Sequence, residues 1–486
     1  MEVLQRTANR GSISTGGYEI ANSLKFEADN SEQLSRDVSS TGSRTTATVS
    51  MWIKRTELGA AQYLFTYGNT DNDNGRTLAR FQSDDTLRIM GGNTTWRNTN
   101  RVFRDTSAWY HIVIAFDTTQ STANDRIKLY INGVQETSFS TTNNPSEDGI
   151  LGLNFQKQVI GYNSIDGGSY FSGYMAEIVH QEGTASAPTE FGETDSDTGI
   201  WIPKNVSGVT FGTNGFYLDF EDNTSAGKDS SGNSNNFSDT NLSAADHAID
   251  TPTNNFAIIS NAMRDNNELS YSTVSDGGSL FRTTVTEKWV TSVSSIGVTK
   301  GKWYAEFNVI GSRPNNWWGI ASMEQLNNNS GYSSAGSHLG ESGKNWSIGY
   351  YQANGRLDEQ QNSGFTQTLN WGGVVSQNQI VGVALDMDNH NLYIAVNNTY
   401  QNSGDPTSGA TGTGAISFDD TETVAIANTG YSLGSGNDTI TGYNFGGYRT
   451  GGLPSNATDG NGYGAFRYAP PSGYYALCTK NLAEYG

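Results

Sequence analysis

Asp125-Arg126-Ile127-Lys128-Leu129-Tyr130-Ile131-Asn132-Gly133-Val134-Gln135 alternates apolar and polar side chains, with Ile127, Leu129 and Ile131 on one face. Far downstream, Ile380-Val381-Gly382-Val383-Ala384-Leu385-Asp386-Met387-Asp388-Asn389-His390-Asn391-Leu392-Tyr393-Ile394-Ala395-Val396-Asn397-Asn398 does so twice: Val381, Val383 and Leu385, then Leu392, Ile394 and Val396. A period of two describes a pleated strand with one face against a second layer; a helix would repeat at 3.6. The runs end at Asn132-Gly133 and Asn397-Asn398, residues that suit tight turns. Leu24 and Phe26, and Val49 and Met51, keep the same rule. These spacings predict an all-β chain of antiparallel sandwiches, with Leu24, Phe26, Val49, Met51, Ile127, Leu129, Val383, Leu385, Ile394 and Val396 buried.

Composition agrees. A chain of 486 residues is too long for one core, because single cores stop growing near ~250–300 residues. Charged residues make up 16%, below the usual ~25%, and 57 glycines stand among abundant Asn, Ser and Thr. That is turn-rich β composition; helices favour Ala, Leu, Glu and Lys. Aromatic content of 11% supplies apolar area for packed cores. A net charge of −20 with no Lys or Arg cluster repels phosphate backbones, so no direct nucleic-acid binding is expected. No window approaches the ~20 apolar residues of a membrane span, so no membrane insertion is expected. The first residues, Met1-Glu2-Val3-Leu4-Gln5-Arg6, begin no signal-peptide core. Cys478, the one cysteine, has no internal partner and reads as a small buried hydrophobe from a reducing compartment.

Several segments then resemble known families. Ser23-Leu24-Lys25-Phe26, Ala47-Thr48-Val49-Ser50-Met51-Trp52-Ile53-Lys54-Arg55, Trp109-Tyr110-His111-Ile112-Val113, Leu129-Tyr130-Ile131-Asn132-Gly133 and Gly173-Tyr174-Met175-Ala176-Glu177-Ile178 resemble, in order, the strands of laminin-G-like, concanavalin-A-like lectins. Gly301-Lys302-Trp303-Tyr304-Ala305-Glu306-Phe307, Trp318-Gly319-Ile320-Ala321, Val381-Gly382-Val383-Ala384-Leu385-Asp386 and Tyr443-Asn444-Phe445-Gly446 resemble the SPRY family. The resemblance implies two concanavalin-A-like sandwiches (jelly rolls) in tandem. On this reading residues 1–20 are an N-terminal arm and 21–185 the laminin-G-like sandwich. Residues 186–255 form an irregular connector with one short strand, and 256–486 the SPRY-like sandwich. The connector passage Gly199-Ile200-Trp201-Ile202-Pro203-Lys204, with Gly215-Phe216-Tyr217-Leu218-Asp219-Phe220 and Asp229-Ser230-Ser231-Gly232-Asn233-Ser234-Asn235-Asn236-Phe237, resembles a recurrent bacteriophage structural-protein segment.

Catalytic patterns are broken or missing. Retaining glycosidases on such sandwiches carry E-x-D-x-E or E-x-D-x-x-E, with nucleophile and acid about 5–5.5 Å apart. The nearest match, Glu177-Ile178-Val179-His180-Gln181-Glu182, has Val179 where the central Asp belongs. The five histidines are scattered without zinc spacing. Ca²⁺ is the one metal with candidate ligands. Asp71 and Asp73 lie in Asn69-Thr70-Asp71-Asn72-Asp73-Asn74-Gly75, which lacks the position-twelve Glu of an EF-hand because Arg80 stands there; Asp386 and Asp388 share a face at a strand end. For a sugar, Trp317 and Trp318 are adjacent in a strand, so one is expected outward; Trp346, Tyr350 and Tyr351 offer a second cluster and Trp96 a third. Long polar insertions near 324–345 and 401–417 add hydrogen-bonding loops.

The resemblances together imply a bacteriophage virion structural protein, made in host cytoplasm and exposed on the particle. It would be a tail-fibre or receptor-binding component holding host cell-surface glycans through Trp317, Trp318, Trp346 and Tyr350. Its partners would be other virion proteins and further copies of itself in a homo-oligomer. A capsid decoration or head-fibre protein is the alternative, and a polysaccharide depolymerase the third reading. No catalytic residue is expected.

Overall fold

The computed structural model describes residues 17–69, 75–165, 167–259, 271–313, 315–323, 337–419, 423–433, 438–448, 451 and 456–486. The chain is nearly all-β, and its two units divide at Thr253 and Asn254. Their antiparallel sheets are consistent with concanavalin-A-like β-sandwiches. Among the described residues, no helix is long and apolar enough to cross a membrane.

The first unit faces two eight-stranded sheets. One is built around Thr46–Arg55, which pairs with Tyr110–Asp117 on one side and with Gly173–Glu182 on the other. Ile127–Ile131 and Val134–Gln135 extend it through the Asn132-Gly133 hairpin, where both residues have positive φ (48° and 78°) as a type I′ turn requires. The opposing sheet runs from Phe139–Thr142 through Thr94–Val102, Thr86–Gly91, Arg76–Phe81 and Gln62–Gly68 to Lys157–Ile160 and Gln33–Asp37. Leu24, Phe26, Val49, Met51, Ile127 and Leu129 all enter the core between the sheets.

Residues 186–253 differ from the expected connector. Phe216–Leu218 pairs with Gly173–Glu182, Ser238–Thr240 with Gln33–Asp37, and His247–Ala248 with Ser23–Phe26. This segment therefore completes both sheets of the first sandwich, and its Phe216, Leu218, Phe220 and Phe237 sit in that core. The physical reason is edge satisfaction. The strand Ser23–Phe26 would otherwise leave backbone donors and acceptors open, and buried ion pairs hold the segment in place. Lys25 Nζ meets Glu32 at 3.1 Å and Asp246 at 2.7 Å; Lys54 Nζ meets Asp250 at 2.6 Å.

Among the described residues, the second unit likewise has two sheets. One orders Ser272–Ser275, Leu280–Thr283, Ile440–Asn444, Lys302–Val309, Ile380–Asp386, Asn391–Val396 and Thr399–Tyr400. The other orders Lys288–Val293, Val424–Ser432, Asn316–Ser322, Ser347–Tyr351, Leu357–Gln361 and Gly364–Thr368. The turn at Asn397-Asn398 has φ of 47° and 65°, as expected. Val383, Leu385 and Ile394 are buried; Val396 is half-buried against the same core. Tyr475–Ala476 pairs in parallel with Lys302–Val309, and a short helix, Thr479–Tyr485, follows. Cys478 lies fully buried, and burial pushes its thiol up to about 12.

Candidate functional site

The four rings read as a sugar platform are all buried. Trp318 and Tyr350 face inward and, with Trp346, belong to the second core. The Trp346 indole donates to Asp419 at 2.7 Å, and the Tyr350 hydroxyl to the Gly373 carbonyl. Trp317 faces the other way, as alternation requires, but is only 1% exposed. The expectation of an outward, solvent-facing ring at this pair is corrected. A second layer of rings covers the outer face of the sheet, which period-two spacing cannot reveal. Trp96 is also a core residue.

That covering layer is the candidate site. The His338 ring stacks on Trp317 with centroids 4.0 Å apart and planes 1° off parallel; Tyr351 stacks at 4.5 Å and 20°. Strand pairing sets the array. Trp317 lies opposite Tyr351, and Trp289 lies opposite Tyr431 with centroids 4.6 Å apart. Trp289 also meets His338 edge-on at 5.5 Å. Trp289, His338, Tyr351 and Tyr431 are each half-buried, so part of every ring faces solvent. The floor between them is built from small residues: Ala321, Ala425 and Ala427 pack with Val293, Met323 and Leu339 around Trp317.

Polar groups converge on the same shelf. The Arg356 guanidinium lies 4.9 Å over the Trp317 ring and 5.4 Å over Tyr351, and pairs with Asp358 at 2.8 Å. The Tyr351 hydroxyl donates to Asn315 at 2.9 Å. Burial lowers the pKa of His338, so its ring is neutral at pH 7 and its Nδ1–H donates to the Leu339 carbonyl at 2.9 Å. The buried Trp317 Nε1–H has no hydrogen-bond partner among the described residues. Half-exposed rings beside fixed donors and acceptors can stack an apolar sugar face and bond its hydroxyls. Tyr351 was among the rings legible in sequence. Trp289, His338 and Tyr431 were not singled out, although Lys288-Trp289-Val290-Thr291 alternates and sends Trp289 opposite the buried Val290.

The expected Ca²⁺ ligands fare differently. Asp71 and Asp73 fall outside the described residues. The buried Asp386 is occupied by the protein itself. It pairs with Lys302 at 2.8 Å and accepts from the backbone of Asp388 and Asn389 and from the Asn389 amide. Asp388 accepts from the Gly301 backbone at 2.8 Å. Both carboxylates fasten a turn. Among the described residues, no group of three or more His, Cys, Asp or Glu has metal-holding geometry.

Two arrangements in the first unit resemble catalytic ones. Ser50 Oγ lies 2.8 Å from His111 Nε2, inside a stack of Trp52, His111 and Trp201. Trp201 Nε1–H, which can only donate, reaches His111 Nδ1 at 2.8 Å. The neutral imidazole must then carry its proton on Nε2 and donate to Ser50, the reverse of what a general base needs. Burial holds His111 neutral, lowering it to about 3. The second arrangement is Glu177, at a β-bulge with φ of 50°. There Gly173–Glu182 changes partner, from Leu24 opposite Met175 to Leu218 opposite Ile178. Burial raises Glu177 to about 8, and the hydroxyls of Tyr217 (2.6 Å) and Tyr18 (3.3 Å) donate to it. Glu182 instead accepts from the backbones of Ser43 and Asn214. The two carboxylates serve separate structural tasks.

Comparisons with known proteins bear on the fold. The family model for the concanavalin A-like lectin/glucanases superfamily matches residues 26–188. No curated protein sequence matches the chain. Among solved structures, the chain is similar to the SPRY domain of human HERC1 (14% identity, 35% of this chain and 91% of that one, TM-score 0.26). It is similar to a heptameric SAP-like pentraxin from Limulus polyphemus (15% identity, 34% and 78%, TM-score 0.26). A candidate carbohydrate-binding protein from Bacteroides ovatus is also similar (16% identity, TM-score 0.30); the chain covers 58% of its length with 46% of its own.

Proposed function

We propose that this chain recognises host-surface glycans from the particle of a bacteriophage, as a tail-fibre or receptor-binding component, and does so without cleaving them. The observation that carries the glycan reading is the shelf of half-exposed rings (Trp289, His338, Tyr351 and Tyr431) around the buried Trp317. The lectin-type family match over residues 26–188 supports it. The virion assignment draws on the phage-like passage 199–220 and on the acidic, glycine-rich composition. The reversed Ser50–His111 pair and the dispersed Glu177 and Glu182 support binding without hydrolysis.

A glycan array probed with the intact protein tests the reading, with Trp289→Ala as the discriminating variant. A stacked ring contributes about 0.5–1.5 kcal/mol beyond its buried area, so binding should weaken several-fold to about tenfold. Array signal that is unchanged in W289A removes the shelf from the reading. Labelling intact particles would place the protein on tail or head. One feature favours the alternative of a capsid decoration or head-fibre protein. The edge strand Gly364–Thr368 is exposed at every residue and, with exposed Leu369 and Val374, displays apolar side chains suited to protein contact.

A further inference from the structure

Among the described residues, the first sandwich carries a pair of arginines without an ion-pair partner, in a chain where acidic residues outnumber basic ones by 49 to 29. Arg80 and Arg88 stand directly opposite each other on neighbouring strands of the second sheet. Like charges so placed repel, since Cβ atoms of opposed residues lie only about 4.5–5.5 Å apart. They share the outer face with Tyr63, Leu78 and Met90, away from the core that takes Phe65, Ala79, Phe81, Leu87 and Ile89.

The rank Tyr63–Arg80–Arg88–Asn98 crosses four strands, each residue opposite the next. Its outer members orient the guanidiniums without discharging them. Arg80 donates one Nη1–H to the Tyr63 hydroxyl at 2.8 Å and lies 5.1 Å over that ring. Arg88 Nε–H donates to Asn98 Oδ1 at 3.0 Å. Asn98 is itself held, its amide donating to Ser140 at 2.8 Å. Neither arginine makes an ion pair among the described residues, and Arg80 Nε is buried without a partner. The nearest acidic influence is Asp84 on Arg88, and the Asp84 carboxylate is engaged by the hydroxyl and backbone of Thr86.

We propose that Arg80 and Arg88 form a seat for the carboxylate of an acidic sugar. Two fixed, planar forks on adjacent strands suit bidentate recognition of a planar carboxylate, which would also cancel their mutual repulsion. The seat extends the glycan-binding reading to a different sheet of a different unit, so each can fail alone.

The test is calorimetric titration of the intact protein with trigalacturonate, its methyl ester and inorganic phosphate. The parent should bind the acid at least tenfold more tightly than the ester, with affinity falling as salt rises. Arg88→Gln and Arg88→Lys should each lose about tenfold or more toward the acid while leaving the ester unchanged. Arg80→Gln should do the same, and R88Q remains decisive if R80Q melts early through loss of its Tyr63 contact. R88Q should also melt no lower than the parent at low salt, because it relieves repulsion. Equal binding of acid and ester, or full acid affinity in R88Q, overturns the proposal. Phosphate binding as tight as the acid overturns the sugar assignment in favour of a general anion site. Loss of array binding in W289A with acid binding intact would indict neither arginine, and the converse spares the shelf.

Discussion

Lys25, Lys54 and Arg55 are buried in the first unit, paired with Glu32, Asp246, Asp250 and Asp85. The second sandwich fills its interior with Trp303, Trp318, Trp346 and Tyr350, and its Lys302 and Arg356 remain about a quarter exposed while pairing with Asp386 and Asp358. The contrast follows from how each unit is closed. The first must fasten the late segment 186–253 onto strands made much earlier, and buried ion pairs join Lys25 to Asp246 and Lys54 to Asp250. Such pairs add little net stability but are costly to break, so they specify where a segment docks. The second core is richer in tryptophan, holding Trp303, Trp318 and Trp346 where the first holds Trp96.

The sharpest way to break this comparison is to end the first unit at residue 185. A fragment of residues 14–185 should show no cooperative melt, whereas residues 14–253 should. Equal cooperative transitions would return 186–253 to the status of a linker. Next, Lys54→Met should cost about 3–5 kcal/mol by stranding the Asp250 carboxylate, and adding Asp250→Leu should recover most of it. Trp318→Ala should cost a similar ~3–5 kcal/mol in the second unit with no partner variant able to restore it. A single Lys54→Met loss that the double variant does not repair would argue against the clamp.

A smaller effect is set by pH. His111 and His180 are held near 3 by burial, against an ordinary 6.5, so the unfolded chain binds their protons first. Their contribution is present above about 6.5 and is lost as pH falls toward 3. Glu177 runs the other way. Its folded value of about 8 lies above the ordinary 4.5, so its contribution is present below 4.5 and is lost as pH rises toward 8. Thermal melts of residues 14–253 across pH 4 to 9 should show both limbs, and Glu177→Gln should flatten the alkaline limb alone. Smallest of all, Phe365→Ser on the exposed edge strand should move stability within about 0.5 kcal/mol.

The legible parts of the molecule were local ones. Alternation placed Leu24, Ile127 and Val383, and Asn132-Gly133 announced its own turn. The one short strand expected in the connector is Phe216–Leu218, with Phe216, Leu218 and Phe220 on one face, but its pairing with Gly173–Glu182 was not legible; His247–Ala248 is too short for a period to register, and both have partners far away in sequence. Alternation also assigned Trp317 and Trp318 to opposite faces correctly, but says nothing of what covers a face. His338 stacks on Trp317, Trp289 meets His338 and Tyr431 meets Trp289, so the layer is assembled from three separate segments. Asp386 and Asp388 share a face as expected, yet their carboxylates meet Lys302 and backbone N–H groups, a competition that spacing does not display.

The pairing of Leu24 with His247 also has a consequence for synthesis. The strand Ser23–Phe26 leaves the ribosome roughly 220 residues before its outer neighbour, His247–Ala248. At about 5–20 residues per second, that edge waits on the order of ten seconds or more with its backbone uncovered. During that interval nascent chains on neighbouring ribosomes can pair with it, so the yield of correctly closed protein should fall when translation is slowed between residues 186 and 247.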